Sequence, residues 1–146
     1  MGSLEVAKRG RDRSVLVVEF DPRVRERLGR WLEDSGFQVM NCPGPSAPAF
    51  GCVGVQGSGC ALAHGADLIV VDLWLESDQN LLGPSSAQIL AYYARSGLPV
   101  VAFSHRKSDP RRTLRYVQDR VVWLEWPPER RELVETVRAE LGVPAS

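Results

Sequence analysis

Asp67-Leu-Ile-Val-Val-Asp72-Leu73 sets a run of branched apolar residues between two acids. Nothing in the run alternates between apolar and polar, so a strand built from it must bury both of its faces. Strands of parallel sheets do this, because crossover helices cover the sheet on either side. The same chemistry recurs on both sides of it. Ser14-Val-Leu-Val-Val-Glu19 is a β-branched run that stops at acids, and Val100-Val-Ala-Phe-Ser104 and Val121-Val-Trp-Leu-Glu125 repeat the pattern downstream. Phe37-Gln-Val-Met40 reads as a brief further strand.

Helical signals fill most of the intervals. Asp21-Pro22 supplies an N-cap acceptor followed by a proline at the first helical position, with Val24, Leu28, Trp31 and Leu32 on one face and Gly36 as the stop. Ser85 to Arg95 places Ile89, Leu90, Tyr92 and Tyr93 at helical spacing before Gly97-Leu-Pro99. Asp109-Pro110 opens another helix with Leu114 and Val117. Pro127-Pro128 precedes a last one with Leu133, Val134, Val137 and Leu141 on one side. Strands alternating with helices, joined by right-handed crossovers, predict an α/β three-layer sandwich of flavodoxin-like (βα)5 type with sheet order 2-1-3-4-5. Residues 1–13 read as a polar leader, 14–142 as the domain and 143–146 as a tail. No output domain is expected after the last helix, and no internal repeat is evident.

One interval breaks the alternation. Asn41 to Gly65 carries Pro43, Pro45, Pro48, a series of glycines and all three cysteines, where a second crossover helix belongs. Only Cys60-Ala-Leu-Ala-His64 has helical composition, so a surface loop is expected to replace most of that helix. Cys42, Cys52, Cys60 and His64 have the donor chemistry of a zinc site, but they lack the close cysteine pair typical of structural zinc. Buried thiols, metal binding and a reversible disulfide all remain open for this segment.

Lys plus Arg and Asp plus Glu both number 18, so no net field draws the chain to nucleic acid or anionic lipid. The arginines are spread over helix faces and read as solvated surface. Neither a membrane-length apolar run nor a secretory h-region is present, and the odd cysteine count opposes a disulfide framework. The expectation is a cytoplasmic protein with no nucleic-acid or membrane partner. Neither a Gly-Lys-Ser/Thr phosphate loop nor a Gly-x-Gly-x-x-Gly occurs, and no nucleophile–base pair marks an independent enzyme.

In such a sheet the functional crevice lies beyond the carboxyl ends of the strands. Those ends carry Glu19, Phe20 and Asp21, then Asp72, Ser104 and Trp126. Here the sequence resembles response-regulator receiver domains, from Val15 to Leu141. Val-Leu-Val-Val-Glu19-Phe20-Asp21-Pro22 resembles their first strand with its acidic pair, and Asp67 to Leu73 the strand bearing the phosphoacceptor. Pro99-Val-Val-Ala-Phe-Ser104 resembles the strand that ends in a hydroxyl residue. Glu125-Trp126-Pro127 stands where the family has Lys-Pro.

The resemblance implies acyl-phosphate chemistry, with Asp72 as phosphoacceptor, Glu19 and Asp21 as the acidic pocket, Ser104 as hydroxyl switch and Trp123 as aromatic switch. It also implies Mg2+ at oxygen ligands, yet Phe20 occupies the second position of the acidic pair and Trp126 the lysine position. Weak Mg2+ binding is therefore expected. Asp21 is also the natural helix cap, and an acid at a strand end such as Asp72 can equally cap a loop or pair with an arginine. The reading is a stand-alone, atypical receiver that contacts a signalling protein, either a histidine kinase or a downstream effector, with self-association left open. The alternatives are a phosphorylatable receiver and a thiol or metal sensor on the same fold. The resemblance further implies a cis Trp126-Pro127 bond, and the sharp corner before Pro127-Pro128 would then aim Trp126 toward the crevice or along its rim, covering Asp72 as a lid.

Overall fold

The computed structural model describes residues 13–19, 21–42, 65–72, 93, 95–104 and 121–144, apart from the side chain of Ser104. Its strands are β1 (Ser14–Val18), β2 (Gln38–Cys42), β3 (Leu68–Asp72), β4 (Val100–Ser104) and β5 (Val121–Glu125). Helix α1 (Pro22–Asp34) follows β1, and helix α2 (Arg130–Leu141) follows β5. All four strand pairings are parallel, in the order β2-β1-β3-β4-β5, as the unbroken apolar runs require. The expected cysteine-segment loop, the helices expected from Ser85 and Asp109, and Phe20, Cys52, Cys60 and His64 lie outside the described residues.

Side-chain alternation along each strand gives the sheet two apolar faces. Val15, Val17, Leu68, Val70, Val101 and Phe103 point to the face covered by Leu28 and Leu32 of α1 and by Leu133, Val134 and Val137 of α2. Leu16, Val18, Ile69, Val71, Val100, Ala102 and Val121 point to the other face, where Cys42, Ala66 and Tyr93 pack. From Leu68 to Val71 every residue of β3 is fully buried, which is why its sequence shows no alternation.

Helix α1 begins where the sequence places it. The Asp21 carboxylate accepts from the N–H groups of Arg23 (2.8 Å) and Val24 (3.4 Å), meeting two amides that the helix itself cannot satisfy. At its centre, a Cβ on Gly29 would lie 3.3 Å from Val39 Cγ1 and 3.5 Å from Asn41 Oδ1, so the helix backbone rests close against β2. Gly36, at φ +100°, then turns the chain into β2. At the amino end of the sheet the Asp67 N–H donates to the Ser14 carbonyl (2.7 Å), and the Ser14 N–H donates to Asp67 Oδ2 (2.8 Å). This reciprocal clasp joins β1 and β3 before their ladder begins.

Some boundaries differ from the sequence reading, β1 and β3 by a single residue at their ends. The second strand runs from Gln38 to Cys42 instead of Phe37 to Met40, because pairing with β1 continues through Val17↔Asn41 and Val18↔Cys42. Cys42 is therefore the buried last residue of a strand and not part of a surface segment. After α2, Val143 packs against the core, so apolar burial continues into the stretch read as a tail.

Replacing Leu133, fully buried under the sheet, by alanine should lower the unfolding free energy by about 2–5 kcal/mol. Asp21→Ala should cost about 1 kcal/mol through the lost cap. Urea denaturation of the two variants against the parent measures both.

Candidate functional site: a buried carboxyl pair

The register Val18↔Val71 carries β1 and β3 forward in step, so Glu19 stands beside Asp72 at the carboxyl end of the sheet. Asp72 pairs in turn with Phe103, and Phe103 with Leu124. Strand parity directs this whole row toward the face covered by α1 and α2. Glu19 and Asp72 are each only 3% exposed and are the buried charged residues among those described. The structure places these two acids, both read from the sequence as crevice residues, side by side.

Glu19 is fixed from three directions. Its N–H donates to the Cys42 carbonyl (3.0 Å), and its Oε1 accepts the Asp21 N–H (3.1 Å). Arg25 reaches back from the first turn of α1, and its Nη1 donates to the Glu19 carbonyl (2.9 Å). Glu19 Oε2 is buried and receives no donor among the described residues. A proton resolves that deficit, since a protonated Glu19 donates to Asp72. The Glu19 carboxyl is accordingly pushed up to about 9, first by burial, then by the hydrogen bond to Asp72 and by its charge, with the Asp21 N–H pulling the other way.

Asp21 enters the crevice through its backbone and not as a second pocket acid. Its carboxylate is exposed and engaged at the helix cap. Ser104 ends β4 at the same end of the sheet, in register with Glu125. Trp123 pairs with Ala102 and is half-buried on the opposite face, with its Nε1 buried and no acceptor among the described residues. The Trp126-Pro127 bond is cis, as expected. The Trp126 ring meets Phe103 edge-on, with centroids 5.2 Å apart and planes at 71°, so the indole packs on the neighbour of Asp72 and becomes part of the α1–α2 core. Arg25 and Phe103 had not been singled out from the sequence. The spacing of Arg25, four residues beyond the cap, is the signal that it lies within reach of the strand end.

A five-stranded parallel sheet in this order is shared with many solved proteins. A receiver-domain protein from Clostridium thermocellum matches at TM-score 0.66 and 13% identity, over 89% of this chain and 94% of that one. The fold is that of a response-regulator receiver domain. A receiver protein from Sinorhizobium medicae matches at TM-score 0.63 and 19% identity, over 89% and 94% of the two chains. The receiver domain of the hybrid histidine kinase CckA matches at 0.58 and 19%, over 88% and 98%. No family model and no curated protein matches the sequence.

The receiver fold implies Mg2+ at this crevice, and the donor set can be tested against that. Mg2+ demands near-octahedral oxygen coordination. The described residues gather no group of three metal-binding side chains, and the Asp21 carboxylate is turned to the cap. What they provide is two adjacent buried carboxyls, Glu19 and Asp72, beside an Asp21 carboxylate committed to the helix cap.

This pair links stability to pH. The unfolded chain releases the Glu19 proton near the ordinary value of 4.5, whereas the folded protein holds it up to about 9. The stability it confers is therefore complete below 4.5 and drains away as pH rises to about 9. Glu19→Gln is permanently neutral and keeps a donor for Asp72. It should leave the melting temperature little changed in acid and raise it increasingly toward alkaline pH, by roughly 4 °C for each 1 kcal/mol gained, as calorimetry across pH would show.

Proposed function

We propose that the chain is an atypical receiver module that acts in signal transduction through protein contact, with aspartyl phosphorylation weak or absent. The observation that carries this reading is the buried Glu19–Asp72 pair. Its spare oxygen asks for a proton where a working phosphoacceptor site places a divalent cation. The lysine position is held by Trp126, whose ring is committed to Phe103 and which cannot offset phosphoryl charge. Asp72 would be the phosphoacceptor-like residue, but the second acid and the lysine that normally help neutralise an incoming phosphoryl are replaced by Phe20 and Trp126.

The receiver fold supports a role in which the chain's surface is read by another signalling protein, a histidine kinase or a downstream effector. The half-buried Trp123 on β5 suits that role, since an aromatic ring at a partly covered strand offers apolar area to a partner. The chain would serve as a contact module and not as an enzyme.

Incubation with acetyl phosphate and Mg2+ should label the protein slowly, with labelling followed by intact-mass spectrometry. The double substitution Phe20→Asp with Trp126→Lys restores a ligand and a cation, and should speed labelling by tenfold or more for each roughly 1.4 kcal/mol returned to the transition state. Fast, Mg2+-dependent labelling of the parent, abolished in Asp72→Asn, would show a conventional phosphoacceptor and overturn the reading.

A further inference from the structure

We infer that the open edge of β2 is a self-association surface, where a second copy of this chain adds its own β2 antiparallel about a two-fold axis at Met40 and joins the two sheets into one. The inference goes beyond the contact role proposed above and does not draw on the state of Asp72.

Among the described strands β2 is an outer one, with β1 as its neighbour. The Gln38 N–H donates to the Arg13 carbonyl (2.9 Å) and the Cys42 carbonyl accepts from the Glu19 N–H (3.0 Å), so the even-numbered residues of β2 direct their main-chain groups to β1. Alternation along the strand turns the N–H and C=O of Val39 and Asn41 the other way, where no described residue meets them. The devices that usually blunt such an edge are missing, since Gln38-Val-Met-Asn-Cys42 holds no charge and no proline. Asn41 is exposed, and a groove opens between it and α1.

The pattern of outward groups selects the occupant. Antiparallel strands exchange N–H···O bonds in pairs between directly opposed residues. With Met40 on the axis, Val39 stands opposite Asn41 of the second copy, and each gives its N–H to the other's carbonyl. Symmetry repeats the exchange on the far side of the axis. Moving the axis to Val39 would call on the Phe37 N–H, which already donates to the Leu32 carbonyl (3.1 Å). Moving it to Asn41 would call on Pro43, which has no N–H. The edge is therefore self-complementary in the register centred on Met40, and a contact of that kind closes at a dimer. Met40, partly buried on the face away from α1, meets its counterpart at the axis, where opposed Cα atoms lie about 4.5 Å apart. On the other face the groove carries Arg25 and Arg30 together with Glu26 and Glu33, so a second copy meets no field of a single sign.

The test is sedimentation of the full chain from micromolar to millimolar concentration, combined with amide hydrogen exchange followed in 1H–15N spectra. A strand of 5 residues makes a small interface, so a weak monomer–dimer equilibrium is expected. Exchange at Val39 and Asn41 should slow as the dimer forms, whereas the Met40 amide, bonded to β1, should be equally protected in dilute and concentrated solution. Asn41→Pro removes an outward N–H and leaves the β1 ladder intact, so it should weaken dimerisation by about tenfold or more while its circular dichroism in dilute solution matches the parent's. Assemblies larger than a dimer, a dimer in which Val39 and Asn41 exchange as fast as in the monomer, or a folded Asn41→Pro that dimerises as well as the parent would each overturn the inference. So would a chain that stays monomeric throughout: with both amides protected it covers the edge itself, and with both exchanging freely it leaves the edge to a strand of another protein. The exchange measurement uses the parent chain, so it decides the matter even if Asn41→Pro does not fold.

Discussion

Glu19 and Asp72 occupy neighbouring strand ends that solvent scarcely reaches, and the protein cannot keep a full charge on both. Two unit charges about 4 Å apart repel by about 4 kcal/mol at the effective dielectric of a protein, a large part of a domain's net stability. The sheet enforces the encounter. Parallel register brings β1 and β3 forward in step, and burial of their apolar residues on both faces leaves no freedom to slip by one position. Sharing a proton is the resolution that needs no rearrangement of strands. The local contacts around it, from the Asp21 amide to the Arg25 guanidinium, hold Glu19 in the orientation that makes sharing work.

Much of the fold could be read from the residues themselves, for physical reasons. β3 could be read because total burial writes itself as an uninterrupted apolar run, and β4 and β5 matched to the residue. Helix α1 could be read because Asp21 and Pro22 carry start signals that act locally. The second strand was harder. Asn41 is an exposed polar residue and Cys42 precedes a proline, so nothing local shows that the ladder with β1 continues; only the partner strand decides that.

The site was legible in its members and less so in their roles. Glu19 and Asp72 could be paired from topology alone. That Asp21 would give its amide to the crevice and its carboxylate to the helix depends on the path of the turn, which composition does not encode. Arg25 was invisible for a related reason. On a helix crowded with arginines, an inward-reaching one looks like the others until the strand end is placed beneath it. Trp126 shows the converse case. Its position against the crevice was inferred from a family pattern, and the structure gives the ring a packing partner in Phe103 that accounts for its presence without reference to phosphate.

Gly29 has a mechanical consequence. Because the backbone of α1 approaches β2 so closely there, the middle of the helix is held against the sheet while its two ends depend on a cap and a glycine turn. A helix held this way behaves as a beam on a fulcrum. A small displacement applied at the Asp21 end tilts it about Gly29 and reappears, reversed in direction, near Asp34 and Ser35. There Asp34 lies 3.9 Å from Arg130, and the Ser35 carbonyl accepts from Arg138, both on α2. The middle of α1 is thus tied to β2 and its far end to α2, by contacts that never touch the buried acids.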